Sequence, residues 1–369
     1  LGVEIAFASR SDSTLRGHFP LETDVLAEVA REHGRPVDAV LLVPAYVDAG
    51  RVTVGGVHWV VDGGAWTPVG DSEFARDATF GFRSSRLADW VAEKSGGPVP
   101  VTEVPLAALR SGDGSLSAAL HLPSASVVVP DAVTDDDLRA VAVAELDAEH
   151  AGRRLLLRTG PSYVRARLGQ AAAPPIGDDR LAALVRGGSA GLVVVGSHVG
   201  RTTRQLERLR AAVPATEVLL DVRAVLADPV GVGEDVRDRV LAAEDGDLVV
   251  LSTSRARIAG TDEADSLAVA RRVSAAVSEV VAEVVRRRPP AFVVAKGGIT
   301  SSDTATDALG IRRAWARGTL LPGIVSLWEP VDGPATGLPY VVFAGNVGDD
   351  DALATVVARL VAASRRRNG

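Results

Sequence analysis

The sequence predicts an α/β protein of two domains, each built on a largely parallel sheet flanked by helices. Three observations predict it. Several short β-branched runs are apolar throughout instead of alternating, as strands covered on both faces are. Helical patterns separate many of these runs at the spacing of α/β units. And at 369 residues, 47% of them apolar, the chain exceeds one typical domain and can fill two cores.

The elements follow in order. "VEIAFAS" (3–9) reads as a strand already under way, so we expect a strand and loop ahead of Leu1. From Leu21 the periodicity is helical, and "AVLLVPAY" (39–46) is the next strand. Residues 50–86 carry Thr and Val between Gly-Gly and Asp-Gly turns, the pattern of a small inserted hairpin. "SVVVPDAV" (126–133) and "RRLLLRTG" (153–160) are strands with a helix over 136–150 between them. "GQAAAPPIGDD" (169–179) has no periodicity and reads as a linker or a long loop; the linker reading gives domains over 1–172 and 180–369. Strands then begin afresh at 191–198, 217–222, 247–253, 291–298 and 340–348, with helices over 202–213, 264–287 and 350–366.

Composition narrows the classes. A formal net charge of −7 gives no reason to expect nucleic acid or an anionic membrane as partner. The short basic runs, Arg286 to Arg288 and the C-terminal "RRNG", suit solvated faces. No apolar stretch approaches the ~20 residues of a membrane helix, and no signal pattern opens the chain; we expect a cytoplasmic protein, its oligomeric state open and a homo-oligomer included. The lack of cysteine excludes disulfides and thiolate chemistry.

In open parallel sheets ligands bind beyond the carboxyl ends of the strands. Three such ends in the second half carry glycine and small polar groups: "VVVGSHVGRTTRQ", "VVAKGGITSSD" and "VVFAGNVGDDDAL". Glycine lets backbone approach a ligand, and a helix starting there points its first amides at a phosphate. Thr202 or Thr203, Ser302 or Asp303, and Asp349 or Asp350 are the expected caps. The plainer alternative is three capped helices behind tight turns. Lys296 either approaches a phosphate or faces water. No Walker sequence and no dinucleotide glycine pattern occurs.

The first half offers "SRSDSTLRGHFPLE" (9–22), with Asp12, Ser13, Thr14 and Arg16 beyond a strand. A guanidinium beside hydroxyls suits a carboxylate, and Asp12 suits orienting a sugar hydroxyl or deprotonating it as a catalytic group; equally, Asp12 and Arg16 pair with each other and cap the helix. Asp48 and Arg51 follow the next strand, and "EFARD" adds Glu73, Arg76 and Asp77. The six histidines lack zinc spacing. Of these His198 is the one placed by a ligand, and His58 is free to face either way.

"RSDSTLRG", "PAYVDAGR" with "VGGVHWV", "DSEFARDATFGF", "VVVGSHVGRTTRQL", "GGITSSD" and "GNVGDDDAL" together resemble the four-carbon acid sugar kinase family, in its order and over nearly the whole chain. The resemblance implies an ATP-dependent kinase with an acid-sugar domain, a nucleotide domain and an active-site cleft between them. It implies Asp12 and Arg16 at the substrate, with Arg10, Ser13, Asp48, Arg51 and Arg76 as further substrate-binding residues. Around ATP it implies Ser197, Lys296, Gly297, Gly298, Ile299, Thr300, Gly345, Asn346 and Gly348, with Mg²⁺ held largely by phosphate. Arg10 stands where lysine is common, Ile299 where an acid is common, and Val347 where phenylalanine is frequent. The family's opening "DDLTG"-like loop has no match here, so the general base is expected in the segment ahead of Leu1. The rivals are an NAD(P)-dependent hydroxy-acid oxidoreductase, which would quench NADH fluorescence, and a sugar-acid sensor, which would bind without phosphate transfer.

Overall fold

A computed structural model describes residues 7–77, 79–122, 126–187, 191–197, 200–244, 247–254 and 263–366; the start of the first expected strand and His198 lie outside them. The chain divides into two compact units, Leu1–Ala172 and Ala173–Gly369.

In the first unit the elements are β1 (Ala8–Arg10), α1 (Leu21–Glu32), β2 (Ala39–Val43), β3 (Arg51–Val54), β4 (Val57–Asp62), β5 (Ala65–Pro68), α2 (Leu87–Ser95), β6 (Val101–Val104), α3 (Leu106–Ser111), α4 (Ser115–Leu120), β7 (Ser126–Pro130), α5 (Asp135–His150), β8 (Leu155–Thr159) and α6 (Pro161–Arg167). Five strands form an all-parallel sheet in the order β1-β8-β2-β7-β6. Every residue of β7 and β8 is buried, which is why their sequences are apolar without alternation. Leu41, Val43, Val128, Leu155 and Leu157 pack with Leu138 and Val141 of α5 and Tyr163 of α6, each aliphatic side chain stabilising by roughly 1.5–3 kcal/mol. Thr134 and Asp137 close a capping box at the start of α5. The insertion is an antiparallel sheet, β3-β4-β5, followed by turns.

The second unit comprises α7 (Asp178–Leu184), β9 (Gly191–Val195), α8 (Gly200–Ala212), β10 (Thr216–Leu220), α9 (Val222–Ala227), α10 (Pro229–Leu241), β11 (Leu248–Thr253), α11 (Glu263–Arg287), β12 (Val293–Lys296), α12 (Gly298–Asp303), β13 (Ala314–Leu321), β14 (Ile324–Pro330), β15 (Tyr340–Phe343) and α13 (Ala352–Arg366). The sheet order is β10-β11-β9-β12-β15-β14-β13, parallel from β10 to β15 and antiparallel beyond. After β9 the chain runs towards β10; after β12 it runs the other way, towards β13. The adjacent ends of β9 and β12 therefore bound a switch point, where such sheets leave a crevice. The unit has its own core, with Leu192, Val194, Val249, Leu251 and Val293 against Val277, Val281 and Val284 of α11.

Leu168 to Pro174 are exposed. Their far end is pinned to the second unit. Ile176 N–H donates to Thr319 O (2.8 Å), and Arg359 donates to Leu320 O (2.6 Å), Ile176 O and Asp178.

Some elements differ from expectation. The hairpin β13–β14 was not expected; its two-residue Pro322-Gly323 turn, with Gly323 at φ 64°, is a hairpin signal lying outside the α/β repeat. The expected caps are displaced. Helix α8 starts at Gly200, so Thr202 and Thr203 lie inside it; α12 starts at Gly298, so Ser302 and Asp303 lie at its end. Asp350 pairs with Arg204 instead (3.0 Å).

Candidate active site

At the carboxyl edge of the first sheet, "SDSTLRG" makes a tight turn tied up by one carboxylate. Asp12 accepts from Thr14 N–H (3.0 Å), Thr14 Oγ1 (2.9 Å) and Arg16 Nε (2.9 Å). Arg16 also reaches Asp77 (3.4 Å) and lies 5.4 Å from the Phe74 ring centroid, with Arg51 5.7 Å from the same ring. Burial alone would raise the Asp77 pKa, but the amides of Phe80 and Thr79 and the charge of Arg16 outweigh it and hold it low. Asp12 and Arg16 do pair, as one reading had it; they do not cap α1, whose N-cap is Pro20 without a side-chain bond.

The other expected substrate residues divide. Arg51 is 2% exposed and donates to Ala49 O, so it supports Phe74 and the local field from inside. Ser13 is buried. Asp48 is bound by Arg165 (2.8 Å). Arg10 is exposed, with a weak bond to Ser11 O (3.5 Å). Arg76 reaches Asp71 O (3.4 Å). Tyr46 escaped sequence reasoning. Burial first, then the Asp48 charge, pushes its hydroxyl up to about 12 against the pull of Arg51, Arg10 and Arg165. It therefore stays a protonated donor among charged groups, suited to a carboxylate or sugar hydroxyl.

In the second unit the ends of β9, β12 and β15 meet. A Cβ on Gly297, whose φ is +126°, would lie 2.9 Å from Ser197 Cβ and 3.0 Å from Thr300 Oγ1. One on Gly345 would lie 3.0 Å from Ser197 Oγ, and one on Gly196 would lie 2.3 Å from Thr300 Oγ1. Ser197, Gly297, Thr300 and Gly345 are thus packed closely together where the three strand ends meet. Gly298 and Ile299, at the first turn of α12, are open to solvent, Ile299 67% exposed.

Helix α8 holds the β15 loop from behind. Gln205 Nε2 donates to Val347 O (3.1 Å) and Asp349 O (2.7 Å), Arg201 donates to Gly348 O, and Thr202 Oγ1 lies 3.2 Å from Ser197 Oγ. These residues were missed as a group. Their signal was a helical stripe of polar side chains at 201, 202 and 205 next to a glycine turn. Gly348 (φ +78°) closes against Ala352, and Asn346 and Val347 are buried. Lys296 corrects the water-facing alternative. It is fully buried, donates to Ala344 O (2.8 Å) and lies 4.0 Å from the Phe343 ring centroid. Burial, then the Arg201 charge, drives its pKa well below the usual value.

Comparison with known proteins agrees with this division of labour. Residues 2–167 match the model of a sugar-binding N-terminal domain and residues 192–353 that of a nucleotide-binding C-terminal domain. A D-threonate kinase of Bordetella bronchiseptica is 32% identical over 353 residues, 93% of this chain and 75% of its own. The chain belongs to the four-carbon acid sugar kinase family. A D-erythronate kinase of Heliobacterium modesticaldum is 28% identical over 229 residues, 60% of this acid sugar kinase homologue but only 46% of its own length. Two solved structures share the family fold. One, from Salmonella typhimurium LT2, has TM-score 0.62 at 19% identity, covering 94% of this chain and 79% of that one. The other, from Haemophilus influenzae, has TM-score 0.55 at 20% identity, covering 96% and 82%.

Proposed function

We propose that the chain is an ATP-dependent kinase that phosphorylates the terminal hydroxyl of a four-carbon sugar acid: threonate, erythronate or 3-oxo-tetronate. The convergence of three neighbouring parallel strand ends at one cluster of glycine, serine and threonine, in the unit matched by a nucleotide-binding domain, carries this reading. The arginine-rich turn of the sugar-binding unit, and relatives named for D-threonate and D-erythronate, support the substrate class.

Bound ATP would supply the phosphoryl group. The first amides of α12 at Gly298, Ile299 and Thr300 bind phosphate oxygens, with Ser197 and Thr300 hydroxyls beside them. Gly297 and Gly345 let the strand ends close on Ser197, against which a Cβ at either position would press. Arg16 takes the acid's carboxylate and Tyr46 donates to it or to a hydroxyl. Asp12, whose oxygens accept from Thr14 and Arg16, aligns Arg16. Among the described residues no three His, Asp or Glu side chains gather as a metal cage; a Mg²⁺ ion in this reading is one coordinated mainly by phosphate oxygens.

An ATP-consumption screen over four-carbon sugar acids tests the proposal. Turnover that depends on one of these acids is expected. ATP hydrolysis equally fast without any acid would overturn it, and acid binding with no ATP consumed would leave a sensor.

A further inference from the structure

The turn that presents Arg16 is held in an uncommon shape. Leu15 has φ +64°, a left-handed conformation in an L residue with a branched side chain, and Gly17 follows at φ +117°. Such a conformation costs about 1–2 kcal/mol and persists where surrounding contacts over-determine it. Inside the turn Asp12 supplies those contacts. At its start Ser11 N–H donates to Thr159 O (2.8 Å), and at its end Arg16 meets Asp77. Between these two ties the peptide carbonyl of Ser13 needs a donor, since both Ser13 and Thr14 are buried.

That donor comes from the inserted antiparallel sheet. His58 sits on β4 directly opposite Thr53 of β3, and both are fully buried. Its Nε2 lies 2.8 Å from Ser13 O and its Nδ1 3.0 Å from Thr53 Oγ1. A carbonyl only accepts, so Nε2 carries the proton; Nδ1 then accepts from the Thr53 hydroxyl. One tautomer satisfies both ring nitrogens, and neither is left to meet substrate. Thr53 is anchored in turn, exchanging backbone bonds with Ala132 (2.9 and 3.0 Å) beyond β7. A chain of contacts thus runs from the end of β7 through Thr53 and His58 to the peptide next to Asp12.

We propose that His58 is a positioning residue of the acid-sugar site: its neutral imidazole, set by Thr53, holds the Ser13 carbonyl and so fixes how Asp12 and Arg16 present the guanidinium to the substrate carboxylate. This rests on the kinase reading and deepens it. It also assigns the inserted sheet a task, as the rigid support beneath a substrate turn.

The test compares wild type with His58→Leu, His58→Gln and Thr53→Val, each checked for a cooperative thermal transition, in steady-state assays varying acid sugar and ATP separately. His58→Leu strands a buried carbonyl and should raise the acid-sugar KM about tenfold while leaving the ATP KM within about twofold. Thr53→Val, a smaller change that keeps the imidazole, should move the acid-sugar KM the same way by about threefold. His58→Gln, whose amide can donate to Ser13 O, should recover most of the loss. An acid-sugar KM unchanged in both His58→Leu and Thr53→Val overturns the inference, and so does an equal rise in both KM values. Should His58→Leu fail to fold, Thr53→Val and His58→Gln decide. A wild type that consumes no ATP with any four-carbon acid brings down the kinase reading and this inference together; an active wild type with unmoved variants brings down the inference alone.

Discussion

A neutral imidazole sealed inside the first unit ties its stability to pH. Burial, the largest cause, lowers the His58 pKa from 6.5 to about 4, against the bond to Ser13 O. Between these values the unfolded chain binds a proton that the fold refuses, so stability is fully present above pH 6.5 and falls as pH drops towards 4. The integrated loss is about 3 kcal/mol. Urea titrations at pH 7 and pH 4.5 should show a smaller difference for His58→Gln than for wild type, because glutamine does not titrate; equal differences would refute the assignment. At Arg16, substitution by Gln should raise the acid-sugar KM about a hundredfold, the loss of a charge-assisted pair, with the ATP KM unmoved. Residue types were readable here, but their partners were not. Nothing in "VHWV" says which way His58 points, and nothing in "VVAKGG" says that Lys296 turns back onto Ala344. Those are decided by burial in three dimensions.

At the scale of elements, the nucleotide site proposed above depends on how closely three strand ends approach. Gly297→Ala places a Cβ 2.9 Å from Ser197 Cβ in a conformation that L residues avoid, a strain of about 1–3 kcal/mol. Nucleotide affinity, read by titrating a fluorescent ATP analogue, should fall at least about tenfold. Acid-sugar affinity should be unchanged. Gln205→Leu removes both bonds to the β15 loop and should weaken the analogue's binding with less effect on melting temperature; unaltered binding would show that α8 does not shape the site. The buried strands were legible because a sheet covered on both faces demands uninterrupted apolar runs, as in "GLVVV" and "SVVVP". The β13–β14 hairpin was not, because expectation followed the α/β repeat and "WARGTLLPGIVSLW" breaks it.

For the whole molecule, two separate cores predict two unfolding units. Elastase, which cuts after small residues, should nick the exposed Ala171–Ala173 stretch first, leaving two fragments that keep their circular dichroism. Loss of ordered structure in a fragment would mean that its core does not suffice alone. The two-unit α/β architecture was visible in the repeat of strand and helix on either side of a proline-alanine stretch. The buried amine of Lys296 has one further use. Lys94 and Lys296 are the sole lysines in the sequence. Lys94 is partly accessible in the first unit, whereas Lys296 is sealed in the second. An acylating reagent should therefore mark the two halves unequally, and the slow appearance of label at position 296 becomes a clock for transient opening of the nucleotide-binding half.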